Sequence, residues 1–186
     1  MNNIIPFPNK KYQIIYADPP WKPLESGGGK PRGTANLKLR YKGVMTTAEI
    51  CGMPLNEIAA TDCILFLWCT FPRLEDGIQT IKSWGFKYYG LGFTWIKTNK
   101  RSDTLFLGMG YYTRQNPEVC LIGVKGKRFK PLVRNIHSVI MSPIDKHSAK
   151  PPKAREDIVK IIGDIPRIEL FARERVEGWD AWGNEV

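Results

Sequence analysis

An apolar run that ends in two consecutive prolines places the tightest constraint on the fold of this chain. Residues 12–17 are rich in β-branched and aromatic side chains, which predicts a buried strand. Pro19 and Pro20 follow, and a proline cannot donate a hydrogen bond to a sheet ladder. The chain is therefore predicted to leave the sheet at Asp18, in a stiff turn that holds a carboxylate, two carbonyls and the Trp21 indole together. Ligands of open α/β sheets bind at the carboxyl ends of the strands.

Further apolar runs alternate with segments of helical periodicity, which indicates an α/β fold of three layers around a mostly parallel sheet. Strands are predicted at residues 63–68, 86–96, 118–124, 137–141 and 167–172. Helices are predicted after the capping box of Thr46 and Glu49, from Pro72 to Gly85, and from Pro151 to Gly163. No internal repeat or linker is visible, so residues 1–186 are expected to form a single domain.

The charge balance favours a polyanion as partner. The chain has 28 Lys and Arg against 18 Asp and Glu, a formal net charge of +10. Basic residues concentrate in the predicted loops at 22–44, 97–116 and 125–130, a distribution that favours nucleic acid over the alternative of a merely basic protein. The loop at 22–44 follows the proline corner directly, which favours a segment that closes over a substrate above a solvated excursion.

Cysteine usage and the amino terminus predict a cytoplasmic, reduced protein. The four cysteines form no C-x-x-C pair, and three of them lie in apolar runs. No run is long enough to span a membrane, and the first residues lack the pattern of a signal peptide. His137 and His147 do not fit the spacing of a zinc site, so no metal is expected.

The chemistry of the proline corner suits an amino group on a flat heterocycle such as adenine. An ionised Asp18 accepts hydrogen bonds only, the two proline carbonyls add acceptors in a fixed geometry, and Trp21 adds an apolar plate. Acceptors aimed at an exocyclic amine would localise its lone pair and favour attack on an electrophilic methyl group. A base in a duplex would have to flip out to reach such a site. A purely structural corner is the alternative.

The order of several short motifs resembles one family. Asp-Pro-Pro-Trp at a strand end is similar to motif IV of amino-group methyltransferases. The match continues through Leu-Trp-x-Thr, Trp-Ile-Lys, Gly-Tyr-Tyr-Thr-Arg, Glu-x-Cys-Leu-x-Gly, His-Ser-x-Lys-Pro, Ile-Glu-Leu-Phe-x-Arg and Gly-Trp-x-x-Trp-Gly-Asn-Glu. Nearly the whole chain thus resembles the family named after the seventy-kilodalton MT-A subunit of mRNA adenosine N6-methyltransferase.

The resemblance implies a Rossmann-like sheet in circularly permuted order, with the catalytic strand before the strand that holds S-adenosylmethionine. The implied catalytic residues are Asp18, Pro19, Pro20 and Trp21. The implied donor-binding residues are Asp18, Lys150, Glu169, Phe171, Arg173, Asn184 and Glu185. The implied substrate-binding residues are Tyr41, Trp68, Tyr112 and Arg114.

Several of these residues have structural alternatives. Lys150 precedes a helix amino terminus, where it would meet the donor carboxylate, but it also fits a solvated loop lysine. Arg173 would bond the donor or pair with Glu174. Phe171 and the aromatic residues assigned to the substrate fit core packing equally well.

The function that the resemblance implies is S-adenosylmethionine-dependent N6-methylation of adenine in nucleic acid, with DNA favoured over RNA. Sequence readout would come from the loops at 22–44 and 98–116 or from a partner subunit, and a homodimer stays open. Cytosine N4-methylation is disfavoured because Asp rather than Ser opens the motif. The alternative of a different class is a catalytically silent binding subunit, whose relatives lose the acceptor motif that is intact here.

Overall fold

A computed structural model describes residues 5–23, 43–145 and 149–186. The strands are β1 (Tyr12–Ala17), β2 (Ala59–Thr70), β3 (Lys87–Asn99), β4 (Ser102–Leu105), β5 (Glu118–Lys125), β6 (Val139–Pro143), β7 (Arg167–Leu170) and β8 (Asp180–Trp182). The helices are α1 (Thr47–Cys51), α2 (Leu74–Ser83) and α3 (Pro152–Ile162), with short 3-10 turns at Leu55–Glu57 and Phe71–Arg73.

The eight strands form one mixed sheet in the order β4-β3-β5-β2-β1-β7-β8, with β6 paired to β3. The central strand β1 is parallel to β2 and β7, and β7 is parallel to β8. Strand β5 is antiparallel to both of its neighbours, β2 and β3. The carboxyl ends of β1, β2 and β7 therefore share one edge of the sheet with the amino end of β5. This edge is called the carboxyl edge below.

Helices cover both faces of the sheet, as expected for three layers. On one face, Ile50 of α1 and Ile81 of α2 pack with Ile15 and Leu65 in one apolar cluster. On the other face, three side chains of α3 pack with strand residues in a second cluster. They are Ala154, Ile158 and Ile162. Because both faces are covered, the central strands are apolar over most of their length, and the predicted α/β class is confirmed.

The predicted helix boundaries correspond to observed caps. Thr46 caps α1, since the Glu49 N–H donates to Thr46 Oγ1 at 3.3 Å and the Thr46 N–H donates to Glu49 Oε2 at 2.7 Å. Gly85 and Gly163 follow α2 and α3 with φ values of 82° and 110°, which favour glycine. No helix among the described residues is long and apolar enough to cross a membrane.

Two short strands lie outside the segments for which the sequence predicts strands. Strand β4 forms a hairpin with the end of β3, and β8 pairs with β7 over three residues. Runs of three and four residues are too short to show the alternation that predicts a strand. Strand β4 is held by the longer strand β3, and β8 is held by β7, whose side chains reach the core. A local sequence pattern does not encode such pairing.

The long segment after the proline corner leaves and returns at the same place. The Lys22 N–H donates to the Met45 carbonyl, and the Met45 N–H donates to the Pro20 carbonyl, each at 2.8 Å. Residues 24–42 lie outside the described part of the chain, and so does the predicted substrate residue Tyr41. The described ends place both stems of this segment at the Asp18 corner, although the sequence predicts this only for the first stem. The predicted closure over a substrate stays a prediction.

Candidate active site

The Asp-Pro-Pro-Trp corner is held at several points. Asp18 follows the last residue of β1, and the Trp21 N–H turns back to the Pro19 carbonyl at 2.8 Å. The Trp21 indole N–H donates to the Trp68 carbonyl at 3.1 Å. Each proline carbonyl thus accepts one backbone hydrogen bond and retains a second lone pair. The Asp18 side chain keeps 20% of its surface exposed.

Four charged side chains form a nearly buried cluster at this corner. Lys150 Nζ lies 2.6 Å from Asp18 Oδ2 and 3.2 Å from Glu118 Oε2. Lys97 Nζ contacts the other carboxylate oxygen of Glu118. Two carboxylates and two ammonium groups cancel in formal charge, so each charge has a partner despite its burial. We call Asp18, Glu118, Lys150 and Lys97 the charge cluster.

The antiparallel direction of β5 assembles the charge cluster. Glu118 is the first residue of β5, and it pairs in register with Thr70 at the carboxyl end of β2 and with Trp95 of β3. A parallel β5 would have placed Glu118 at the opposite edge of the sheet. Lys97 extends from the same part of β3, and Lys150 enters from the residue pair before α3. Four distant parts of the chain thus meet at the carboxyl edge.

Burial and neighbouring charges shift the pKa values of the charge cluster in different directions. Burial raises the pKa of Asp18, although the Lys150 ammonium opposes that rise. Burial would also raise the pKa of Glu118, but Lys150 and Lys97 together lower it. The pKa of Lys150 is raised, because the two carboxylates outweigh the effect of its burial. The cluster therefore holds Lys150 charged and shifts the pKa values of its two carboxylates in opposite directions.

Trp68 packs against this cluster and against Trp21. It is fully buried, and its indole N–H donates to the Tyr16 hydroxyl at 2.8 Å. Lys150 Nζ lies 5.7 Å from the centre of its ring, within the range of a cation–π contact. Its carbonyl also holds Trp21. The structure thus places this predicted substrate residue beneath the charged groups, where it positions Trp21 and Lys150.

The expected donor-binding residues gather at the ends of β7 and β8. Phe171 directly follows β7 with φ at 60°, a left-handed conformation that is rare outside glycine. Its ring stacks edge-on against Trp182, with 5.6 Å between the centroids. A Cβ on Gly183 would lie 2.5 Å from the Ala172 carbonyl oxygen, so only glycine fits at this crossing. Tight packing therefore holds Phe171 in its strained conformation.

Glu169 is engaged by a residue to which the sequence assigned no role. Arg155 Nη1 of α3 donates to Glu169 Oε2 at 2.8 Å, and Arg155 Nη2 lies 3.1 Å from Glu174 Oε1. Burial raises the pKa of Glu169, while Arg155 opposes the rise. The alternative partner that the sequence suggested for Glu174 was Arg173. Arg173 Nε lies 4.0 Å from Glu185 Oε1.

The donor-side residues lie beside the proline corner. The amide nitrogen of Asn184 lies 3.6 Å from the position that a Cβ on Gly43 would occupy. Gly43 is two residues before Met45, which pairs with Trp21. Asn184 and Glu185 are exposed, so their polar groups face solvent at this edge. The first and last parts of the chain thus contribute neighbouring halves of one candidate site.

Two predicted substrate residues lie on an exposed loop. Tyr112 and Arg114 are exposed, in the loop between β4 and β5. Lys150, expected beside the donor carboxylate, has its ammonium group between Asp18 and Glu118. Its contact with a donor stays a prediction.

Sequence reasoning assigned no role to three residues that the structure places in or beside the site. Glu118 carries a readable signal, since it is an acid at the start of an otherwise apolar strand, directly after Pro117. Lys97 carries a weaker one, because lysines are common in a basic loop. Arg155 lies on an amphipathic helix, where a charged residue is ordinarily a solvated one.

Comparison with known proteins identifies the family. The MT-A70 family model matches residues 12–185, so the chain belongs to the MT-A70 family. The type II methyltransferase M.MunI of a Mycoplasma species is 33% identical over 195 residues, which cover 96% of this chain and 79% of that protein.

Human proteins are more distant and longer. The N(6)-adenine-specific methyltransferase METTL4 is 29% identical over 95% of this chain and 38% of its own length. The N(6)-adenosine-methyltransferase catalytic subunit METTL3 is 27% identical over 95% of this chain and 28% of its own length. The resemblance in the sequence is thus confirmed, and the shared region is nearly all of this chain.

Proposed function

We propose that this protein transfers a methyl group from S-adenosylmethionine to the N6 amine of adenine in a nucleic acid, with DNA favoured over RNA. The observation that carries the proposal is the Asp18 carboxylate. It stands at the carboxyl end of the central strand, is partly exposed, and is held by Lys150 at 2.6 Å. A positioned acceptor at this edge is what an amine nucleophile needs. The MT-A70 relatives named for adenine and adenosine N6-methylation support the choice of amine.

In the proposed reaction, Asp18 accepts a hydrogen bond from the amine and so keeps the nitrogen lone pair directed away from the ring. S-adenosylmethionine supplies an electrophilic methyl carbon, and the carbon–sulfur bond breaks as the new carbon–nitrogen bond forms. The amine nitrogen then carries one proton too many. Asp18 is the adjacent carboxylate that can accept this proton, and burial raises its pKa in that direction.

Trp21 and the proline carbonyls orient the base. The Trp21 indole is fixed through its N–H to the Trp68 carbonyl, so its plane does not reorient when a base arrives. The proline carbonyls would use their second lone pairs toward the amine, since one lone pair of each already accepts a backbone N–H. Such a preorganised site avoids rearrangement during the reaction.

The ends of β7 and β8 have the chemistry to hold the donor, which carries an ammonium, a carboxylate and ribose hydroxyls. Arg173 and Lys150 would attract the carboxylate, and Glu185 and Asp18 would attract the ammonium. Phe171, held in a strained conformation, presents an aromatic surface at the same edge. Asn184, beside Gly43, would bond a hydroxyl. This assignment keeps the permuted order, with the catalytic strand β1 before the donor strand β7.

The choice of polymer rests on relatives and charge. The net charge of +10 fits a polyanion. DNA is favoured because the chain is 33% identical to a bacterial type II methyltransferase, of a Mycoplasma species, and covers 79% of it. RNA is the alternative, which the name of METTL3 as an adenosine methyltransferase supports. A silent binding subunit is disfavoured because Asp18 and its cluster are intact.

Radiolabelled methyl transfer tests the proposal. The purified chain would be given S-adenosylmethionine and matched single-stranded DNA, duplex DNA and RNA, and the products digested to nucleosides. We expect label in N6-methyladenine from DNA, with Asp18→Asn as the inactive control. Label only in the RNA product would move the substrate to RNA. Binding of oligonucleotides with no heat of S-adenosylmethionine binding would overturn the enzyme proposal.

A further inference from the structure

The loop between β4 and β5, residues 106–116, begins and ends beside the charge cluster. Its root is held by Asn116, whose amide donates to the Lys97 carbonyl at 2.6 Å and to the Phe106 carbonyl at 2.8 Å. The Lys97 N–H donates back to Asn116 Oδ1 at 3.1 Å. Because Lys97 also contacts Glu118, the root of the finger is part of the candidate active site. We call residues 106–116 the finger.

Two glycines let the two sides of the finger touch. A Cβ on Gly108 would lie 1.6 Å from the Gln115 carbonyl oxygen, and a Cβ on Gly110 would lie 2.0 Å from the Thr113 carbonyl oxygen. Any other residue would force the two backbones apart. The two sides of the finger therefore pack directly against each other near Gly108 and Gly110, and residues 111–112 form its tip.

The tip carries two aromatic rings with almost no cover from the protein. Tyr111 and Tyr112 are each 94% exposed, and their rings meet edge to face with 4.9 Å between the centroids. Met109, on the stem, is 89% exposed. Contiguous exposed apolar side chains of this kind mark an interaction site. Because the two rings are nearly free of other contacts, they do not line a closed pocket with Asp18.

The charge around the finger selects its partner. The exposed Arg114 follows the tip, and the turn between β3 and β4 exposes Arg101. Lys100 of the same turn is also exposed, and its ammonium group lies 2.8 Å from Asp145 Oδ1. Aromatic rings with neighbouring cations are the usual platform for unpaired nucleotides, since any base stacks on a ring and the cations attract its phosphate. A protein partner is disfavoured, because these cations lie on a chain with a net charge of +10, and such a charge attracts a polyanion.

We propose that the Tyr111–Tyr112 tip binds an unpaired nucleotide that flanks the target adenine, by stacking on its base. This inference rests on the proposed function for the identity of the polymer, and it extends it by naming a second contact, outside the catalytic pocket. It predicts that the enzyme prefers strands whose bases near the target are unpaired. The finger then anchors the strand while the target base reaches Asp18.

A binding cycle tests the tip. Affinity would be measured by fluorescence anisotropy for a short DNA single strand and for an abasic strand of equal length and charge, so that phosphate contacts cancel. The wild-type chain should prefer the base-bearing strand. The double variant Tyr111→Ala/Tyr112→Ala should lose about 5- to 100-fold of that preference, as expected for one stacked base. The matched control Tyr111→Phe/Tyr112→Phe keeps the rings and should keep the preference.

Two results would overturn the inference. One is a base preference in the alanine variant equal to that of the wild-type chain. The other is self-association of the wild-type chain in sedimentation that the alanine variant loses while its base preference stays, which would make the tip a contact between copies. Circular dichroism and urea denaturation check that the variants keep their fold. Failure of methyl transfer by the wild-type chain would instead refute the proposed function, because the binding cycle needs no turnover.

Discussion

At the β1 and β5 ends of the carboxyl edge, the charged groups are nearly buried and paired, with Lys150 at 2.6 and 3.2 Å from two carboxylates. At the β7 and β8 ends, Arg173 and Glu185 lie 4.0 Å apart and both are exposed. The first region is thus complete before any ligand arrives. The second region presents polar groups that a ligand would order.

The proposed activity divides between these two regions. A preorganised acceptor lowers a reaction barrier because it does not reorganise during the reaction. An exposed polar rim instead contributes to affinity and contributes little to the free energy of unfolding. We therefore expect substitutions in the charge cluster to change turnover, stability and pH dependence. Substitutions near Glu185 should change donor affinity alone.

The largest expected effect is the loss of turnover on replacing Asp18. Asp18→Asn keeps the size of the side chain but removes the charge that accepts from the amine and its proton. We expect kcat to fall by about 10²- to 10³-fold or more, since a single preorganised electrostatic contact supplies that much. Single-turnover methyl transfer would measure it, with circular dichroism as the control for folding. Turnover near the wild-type rate would refute the assigned role.

The next effect is on stability, at Glu118. Glu118→Gln leaves Lys97 and Lys150 with one carboxylate between them, so we expect the free energy of unfolding to fall by about 3 kcal/mol. Asp145→Asn, in the exposed pair with Lys100, is the matched control and should cost less than about 1 kcal/mol. Urea denaturation would measure both. Equal losses in the two variants would mean that the cluster is no more strongly coupled than a surface pair.

The sign of the pH dependence at Glu118 follows from its lowered pKa. A carboxylate whose pKa is lower in the folded than in the unfolded chain stabilises the fold above its unfolded pKa. That contribution is lost as the pH falls through the folded pKa. The stability difference between the wild-type chain and Glu118→Gln should therefore be full at neutral pH and shrink in acid. A difference that grows in acid would contradict the pairing with the two lysines.

A smaller effect is expected at Lys150, on two measurements. Lys150→Ala removes the charge that opposes the raised pKa of Asp18, so that pKa should rise further and the acid limb of the kcat/KM profile should move to higher pH. Donor affinity should fall by about tenfold, the value of one hydrogen bond to a charged group. Lys100→Ala, also in an ion pair, is the control and should shift neither. An unchanged donor affinity would remove Lys150 from the donor site.

The smallest effect belongs to Glu185. Glu185→Gln should weaken S-adenosylmethionine binding by a few-fold, while the free energy of unfolding changes by less than about 0.5 kcal/mol. Isothermal titration calorimetry and urea denaturation would separate the two quantities. A large loss of stability would show that the β7 end is as tightly coupled as the charge cluster, and the comparison between the two regions would fail.

Local patterns were sufficient for much of the fold and for one half of the site. The apolar run before Asp18, the capping box at Thr46 and the glycine after α3 are encoded within a few residues, and each is found where it was expected. The family motifs added the residues near Phe171. Their contacts with a donor stay predictions, because motif order alone does not position a side chain.

Non-local pairing explains what local patterns missed. Strand β8 has three residues and exists because Leu170 pairs with Trp182. Glu174 contacts Arg155 of α3, because the helix packs its guanidinium between two carboxylates. Such pairs depend on how whole helices and strands pack together. The number of residues between two side chains does not predict whether they will meet.

The residue order alone requires the chain to leave β1 at Asp18, because two prolines cannot continue a sheet ladder. It therefore determined which carboxylate stands at the carboxyl edge. Only the tertiary structure decided what surrounds that carboxylate. The composition of an apolar strand does not reveal whether it will pair parallel or antiparallel to its neighbours. The antiparallel pairing of β5 brings Glu118 to Lys150 and Asp18.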